Sequence, residues 1–301
     1  MGKIFSPGKL LLTSEYVVLD GALALAVPTQ LGQEFFFEET EDGKSLIRWE
    51  AYHQNQLWLK TEIDYKNGWI LHSNLKEPAE FILKVLMKVA ELSEIKFKNG
   101  VSYRLKTNLQ FPSNFGLGSS STLMNNLAEW AGTDAYLLSD STLGGSGYDI
   151  AVAKEKNAIL FQIKDQTRIS KPVSFNPEFS KDLIFIHLNQ KQDSREGISL
   201  YRSKTKSPTL IDEFSEITEK ALVARNIDEF SFLMVEHERK LSEFLGLQTV
   251  KEKFFADCPS FVKSLGAWGG DFVMASRFSG FRDYFLGKGF GTVFSYAELI
   301  D

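Results

Sequence analysis

The stretch that most restricts this chain is Pro112-Ser113-Asn114-Phe115-Gly116-Leu117-Gly118-Ser119-Ser120-Ser121. Before it, Val101 to Leu109 alternates apolar and polar residues as a strand does. After it, Leu123, Met124, Leu127 and Trp130 fall at helical core spacing. The expected order is therefore strand, glycine-rich turn, helix. Glycine at 116 and 118 lets backbone N–H groups approach a ligand closely and adopt φ values that a β-carbon disfavours. A helix starting near Ser119 adds its unpaired first-turn amides and the positive end of its dipole, so phosphate oxygens can be held without a cationic side chain. The hydroxyls of Ser119, Ser120 and Ser121 follow, one of them a candidate to reach Mg²⁺, an ion that prefers oxygen ligands. A glycine turn and a serine N-cap can equally do no more than start a helix. The other segments of the chain have to decide between the two.

The 301 residues allow one large domain or two ordinary ones, and 43% apolar residues with 25 phenylalanines supply material for extensive burial. Two domains are expected, residues 1–170 and 171–301, with Pro172 and Pro177 punctuating the connection. Residues 3 to 28 read as two or three short strands broken at Pro7, Gly8, Gly21 and Pro28, and strand character continues through Phe35–Phe37 and Leu57–Ile63. Glu80 to Leu92 reads as a helix with Phe81, Ile82, Val85, Leu86 and Val89 on one face. A second glycine cluster, Gly144-Gly145-Ser146-Gly147-Tyr148-Asp149, precedes a strand at Ala158–Ile163. Leu183–Leu188 reads as a buried strand, followed by two or three helices between Thr209 and Leu265 and by strands at Phe272–Met274 and Gly291–Tyr296. The class is α+β.

The net charge of -5, spread over 34 basic and 39 acidic residues, gives no footprint for nucleic acid or anionic lipid. No apolar run approaches the roughly 20 residues that span a bilayer. Cys258 is the single cysteine and cannot pair within the chain, and the start Met-Gly-Lys-Ile-Phe-Ser lacks the apolar stretch of a secretory signal, so a cytoplasmic protein is expected. The weak myristoylation-like pattern of that start is set aside, because the same residues belong to a longer motif.

Gly-Lys-Ser/Thr is absent after the glycines, so the loop is not a Walker loop. It resembles instead the P-x-x-x-G-L-G-S-S loop of the GHMP kinases, the superfamily of galactokinase, homoserine kinase, mevalonate kinase and phosphomevalonate kinase. Ser6-Pro7-Gly8-Lys9-Leu10-Leu11-Leu12-Thr13-Ser14-Glu15-Tyr16-Val17-Val18-Leu19 resembles the first motif of that family, and Gly266-Ala267-Trp268-Gly269-Gly270-Asp271 its third. The three stretches occur in the family's order and span nearly the whole chain. Gly147-Tyr148-Asp149-Ile150-Ala151 is similar to the string that names a bacterial branch of these kinases. The resemblance implies a two-domain GHMP kinase-like fold, an N-terminal α+β nucleotide-binding domain and a C-terminal ferredoxin-like α+β domain. It also implies ATP and Mg²⁺ as cofactors, a small-molecule substrate, and a monomer or homodimer.

Residue by residue, the resemblance places nucleotide binding on Pro112, Asn114, Gly116, Leu117, Gly118, Ser119, Ser120 and Ser121. Asp149 falls on the family's catalytic aspartate and Lys9 on the lysine of its Pro-Gly-Lys motif, where the pair would accept a hydroxyl proton and stabilise the charge that develops. Otherwise a first-turn aspartate is commonly a helix cap and a lysine a solvated strand end. Glu15, Tyr16, Ser146, Tyr148, Lys191, Ser194, Arg195, Gly266 and Ala267 are the implied substrate contacts, with Lys191 and Arg195 suited to a carboxylate or phosphate. Trp268 departs from the family's usual glycine. Tyr16 stands where mevalonate kinases usually carry histidine and phosphomevalonate kinases tyrosine, which tilts the expected acceptor towards phosphomevalonate. Mevalonate, another hydroxy acid or a sugar is the alternative, and a binding protein that has lost catalysis is the alternative of another class. A second Mg²⁺ ligand has only Glu129, Asp134 and Asp140 as candidates. A hydrolase lacks the glycine at 148 that a nucleophile elbow needs, and the four histidines show no paired-ligand spacing, which leaves them surface or structural roles.

Overall fold

The computed structural model describes residues 1–142, 144–190 and 194–300. By packing, the chain divides into two compact units, each assembled from three segments. Residues 1–8, 31–113 and 118–156 form the first; residues 9–30, 114–117 and 157–301 form the second. The boundary at 170/171 suggested by the sequence is a cut along the chain, whereas packing sends the early strands to both units.

In the first unit, β1 (Gly2–Leu11) begins and β2 (Ala24–Glu41) ends. β3 (Leu46–His53), β4 (Gln56–Asp64), β5 (Trp69–Ser73) and β6 (Val101–Leu109) complete a sheet in the order β5-β4-β3-β6-β2. β2 is antiparallel to β6 over residues 33–41, and β3 runs parallel to β6. Against this sheet lie α1 (Lys76–Leu92), α2 (Ser119–Ala131), α3 (Ala135–Asp140) and α4 (Tyr148–Glu155). The helical period expected for α1 is present, with Ala79, Ile82, Val85, Leu86 and Val89 buried. Phe81 is on the rim instead, 37% exposed, since it precedes the buried stripe by one residue. Trp130 of α2 docks edge-on against Phe35 (5.9 Å) and Tyr103 (5.4 Å) of the sheet and against Phe97 (5.7 Å), which precedes β6. Aromatic contacts of this kind add about 0.5–1.5 kcal/mol each beyond the area they bury.

In the second unit the start of β2 pairs with β7 (Ile159–Lys164), which pairs with β8 (Thr167–Pro172). Pro172, expected in a connection, closes β8 opposite Ile159. The rest of the unit is a separate four-stranded sheet made by β9 (Leu183–His187), β10 (Val262–Leu265), β11 (Phe272–Ser276) and β12 (Val293–Ser295). Its order is β10-β11-β9-β12, antiparallel throughout, with helices between β9 and β10 and between β11 and β12. That is the βαββαβ arrangement of a ferredoxin-like domain, as the resemblance implied. The helices are α5 (Ser194–Ser203), α6 (Leu210–Leu222), α7 (Ile227–Leu245), α8 (Val250–Phe254), α9 (Phe281–Gly287) and α10 (Tyr296–Leu299). No helix among the described residues is long and apolar enough to cross a membrane.

Pro7, Gly8 and Pro28, read from the sequence as turn punctuation, lie inside strands. Pro28 falls between the stretch of β2 that pairs with β7 (24–26) and the stretch that pairs with β6 (33–41), outside both of those ladders. Gly21 alone of the four is at a turn, with φ +97° and the Ile163 carbonyl so close that a β-carbon would sit 2.6 Å from its oxygen.

Candidate active site

The loop 112–121 contributes to both units, with 114–117 in the second and its flanks in the first. On the first-unit side, Gly118 is the N-cap of α2 with φ +84° and no side chain caps the helix. Thr122 is the first residue whose amide finds a helical acceptor, the Gly118 carbonyl at 3.0 Å. The amides of Ser119, Ser120 and Ser121 therefore have no partner within the helix. Of the three serines, Ser121 is buried and donates its hydroxyl to the Gly118 carbonyl (2.8 Å), while Ser120 is exposed and Ser119 half-buried. Pro112 is half-buried ahead of the turn.

The base of α2 is fixed by buried polar groups. Asn126 accepts from the Ser6 hydroxyl (2.8 Å) and donates to the Gln33 carbonyl (3.0 Å). Asn125 donates to Ser6 Oγ (2.9 Å) and to the Ala153 carbonyl of α4 (3.2 Å), and Thr122 donates to Gln33 Oε1 (3.0 Å). Ser6, the first residue of the N-terminal motif, thus ties β1 to α2, and Asn125 ties α2 to α4. At the start of α4, Gly147 adopts φ +89° and Asp149 lies in the first turn, half-buried, its Oδ1 accepting the Ile150 amide at 3.0 Å. Ser146 is buried and Tyr148 half-buried beside it.

On the second-unit side, Lys9 Nζ donates to the Gly116 carbonyl (2.8 Å) and the Lys9 amide donates to the Leu117 carbonyl (3.0 Å). Gly116 has φ +68°, and a β-carbon there would lie 2.1 Å from the Asp271 carboxylate. Asp271 also approaches Gly266, which has φ +82°. The first and third glycine-bearing motifs and the middle of the loop are therefore brought together, and the glycine at 116 is what lets the Asp271 carboxylate lie against the turn. Ala267 is buried next to Trp268. The Trp268 amide donates to Tyr16 Oη (2.7 Å) and its indole N–H to the Gln248 carbonyl (3.1 Å), which is how the motif accommodates a large residue. Asn114 is exposed and Leu117 buried.

Glu15 and Tyr16, implied as substrate contacts, are buried in the second unit. Tyr16 has φ +63°, stacks on Tyr201 at 6.1 Å, and would collide with any side chain at Gly197. Glu15, 3% exposed, accepts from Lys263 Nζ at 2.6 Å, and Lys263 is fully buried. Burial pushes the Glu15 carboxyl up from its ordinary value, against the pull of the Lys263 ammonium. His237 Nε2 accepts the Ser14 amide at 2.7 Å, and burial, followed by the Lys263 charge, holds this imidazole neutral, well below its usual range. Its 3.2 Å approach to Glu15 is accordingly not an ion pair. Glu238 meets the Ser264 amide at 3.2 Å, and burial raises its carboxyl to about 8. The sequence reading missed Lys263 and Glu238; the legible signal was a lysine inside the otherwise buried run Phe261–Leu265. His187 and His237 are buried, in keeping with structural roles.

Lys191 lies outside the described residues, as do the side chains of Ser194 and Arg195 at the start of α5. Of the residues considered for a second metal ligand, Asp134 is spent capping α3 through the Tyr136 and Leu137 amides, and Glu129 pairs with Lys156 at 3.3 Å. No cluster of three or more His, Cys, Asp or Glu side chains able to hold a metal occurs among the described residues.

No protein-family model matches the sequence, and no curated protein does. Solved structures do. The phosphomevalonate kinase of Streptococcus pneumoniae, in complex with phosphomevalonate and AMPPNP, superposes with TM-score 0.70 at 15% identity over 98% of this chain and 100% of its own. The mevalonate kinase of Methanococcus jannaschii gives TM-score 0.68 at 16% identity, covering 97% and 96%. A D-glycero-D-manno-heptose 1-phosphate kinase from Bacteriodes thetaiotaomicron gives 0.64 at 18%, covering 99% and 95%. The chain has the GHMP kinase fold. The loop, the Pro-Gly-Lys strand and the third glycine motif are thus set on the fold whose motifs they resemble.

Proposed function

We propose that the protein is an ATP-dependent kinase that transfers the γ-phosphoryl group to a small metabolite, with phosphomevalonate as the first acceptor to test. The observation that carries this reading is the start of α2: three amides without helical acceptors behind a left-handed glycine, on a helix that no side chain caps. Such an end favours an anion through both its N–H groups and its dipole. The fold and the near-complete coverage by structures of phosphotransferases support the same reading.

In this reading the loop amides and the first turn of α2 hold the triphosphate. Mg²⁺, when bound, neutralises phosphate charge; the protein oxygen suited to it is the exposed hydroxyl of Ser120, with the remaining ligands coming from phosphates and water. Asp149, in the first turn of α4, accepts the acceptor's hydroxyl proton. Lys9 tethers the loop through the Gly116 carbonyl and brings a fixed cation to the developing charge. Phosphomevalonate is favoured by the Glu15-Tyr16 pair and the Gly-Gly-Asp ending of the third motif.

ADP release with ATP, Mg²⁺ and a panel of phosphomevalonate, mevalonate, galactose and heptose 1-phosphate tests the acceptor. Turnover should be fastest with phosphomevalonate, and turnover with mevalonate alone would reject that choice. Asp149→Asn should lower kcat with the best acceptor by about 10²-fold or more. An unchanged kcat removes Asp149 from the mechanism.

A further inference from the structure

Beneath the loop, on the second unit, lies a residue that no motif includes. His187 ends β9, and its ring packs on Phe115 at 4.3 Å and on Phe272 at 5.1 Å. Phe115 in turn meets Phe272 edge-on at 5.5 Å and Phe294 at 6.3 Å. The loop is thus anchored to the four-stranded sheet by one of its own side chains. His187 Nδ1 accepts the Asn189 amide at 3.2 Å, which leaves Nε2 as the ring's donor. Nε2 faces the Asn114 carbonyl at 3.4 Å, a long contact that the Phe115 ring stack keeps in register.

We propose that His187 is a positioning residue for nucleotide binding, one half of a clip whose other half is Lys9. In a trans peptide the carbonyl of one residue and the N–H of the next point in opposite directions. Holding the Asn114 carbonyl on His187 therefore turns the Phe115 amide away from the imidazole. Holding the Gly116 carbonyl on the Lys9 ammonium turns the Leu117 amide away from the lysine in the same manner. Two alternate amides of the glycine turn are fixed in advance of any ligand, so less of the phosphate's binding energy is spent on ordering the loop. The clip needs the imidazole as donor and as ring; Lys9 alone leaves the Asn114–Phe115 peptide free to rotate.

This inference rests on the reading of the loop as a phosphate seat. It is tested by calorimetric titration of ADP with Mg²⁺ and by steady-state kinetics on wild type, His187→Phe and His187→Gln. Phenylalanine keeps the ring stack and removes the donor; glutamine keeps a donor. His187→Phe should weaken ADP binding and raise KM for ATP by about fivefold, the worth of one ordinary hydrogen bond. The KM of the acceptor and kcat should hold, because the loss is equal in ground and transition states. His187→Gln should recover part of the affinity. Should His187→Phe not fold, His187→Leu, which also removes the donor and keeps an apolar side chain against Phe115, carries the same test, with the same direction expected. Wild-type affinity in the folded variants overturns the clip while leaving the kinase reading intact, whereas wild type that binds no nucleotide overturns both.

Discussion

At the scale of single residues, Gly116 and Glu238 make the sharpest claims. An alanine at 116 would be held at φ +68°, where a residue with a β-carbon costs about 1–2 kcal/mol, and would meet the Asp271 carboxylate besides. Gly116→Ala should therefore destabilise the protein and weaken nucleotide binding. The atoms it strikes all lie beyond the Asp271 β-carbon, so Gly116→Ala/Asp271→Ala should unfold at higher denaturant than the two single effects predict when added. Strict additivity in urea melts would show that the close approach is not the cause. Glu238 keeps its proton in the folded state up to about pH 8, and the unfolded chain releases it near the ordinary carboxyl value. The folded state binds the extra proton, so that part of the stability fades as pH climbs towards 8, and Glu15 acts in the same direction. His237 is opposite: neutral when folded, it costs stability only as pH drops below its ordinary 6.5. Between about 6.5 and 8 the wild-type Tm should consequently decline, and Glu238→Gln, neutral at every pH, should decline less. Parallel Tm curves for the two proteins would contradict a protonated Glu238. Lys9 and Gly116 were legible because their neighbours in sequence form a motif. Lys263 was not, since its partner Glu15 lies 248 positions away and nothing local signals a buried ion pair.

At the scale of elements, α2 shows what periodicity reads and what it omits. Leu123, Met124, Leu127 and Trp130 are buried at the expected spacing. Asn125 and Asn126 are buried too, although a polar pair in mid-helix reads as a solvated face. Their partners are Ser6, Gln33 and Ala153, and only the packed structure supplies them. Asn126→Ala leaves the Ser6 hydroxyl short of an acceptor and the Gln33 carbonyl short of a donor, so we expect a loss of about 2–3 kcal/mol. Chemical denaturation should register it as a lower midpoint with unchanged slope; a shift under 0.5 kcal/mol would mean that water replaces the amide. The strand β6 was readable to the residue because it alternates cleanly. β2 was not, because its proline lies where its partner changes and so looks like an end.

At the scale of the whole molecule, the ferredoxin-like strand order of the second unit and the long sheet of the first follow from motif resemblance more than from pattern. Short apolar runs such as Leu183–His187 announce burial and leave strand order open. The interleaving of segments was the least legible property, since composition does not change at residues 8, 30, 113, 117 or 156. It also has a practical outcome for anyone cutting the gene. A fragment ending at 156 would carry off residues 9–30 and 114–117, which belong to the body left behind, and that remainder would start life without the tether lysine or the turn it grips. Neither piece is an independent module, so expression of halves should give insoluble chains that recover only when both are made together.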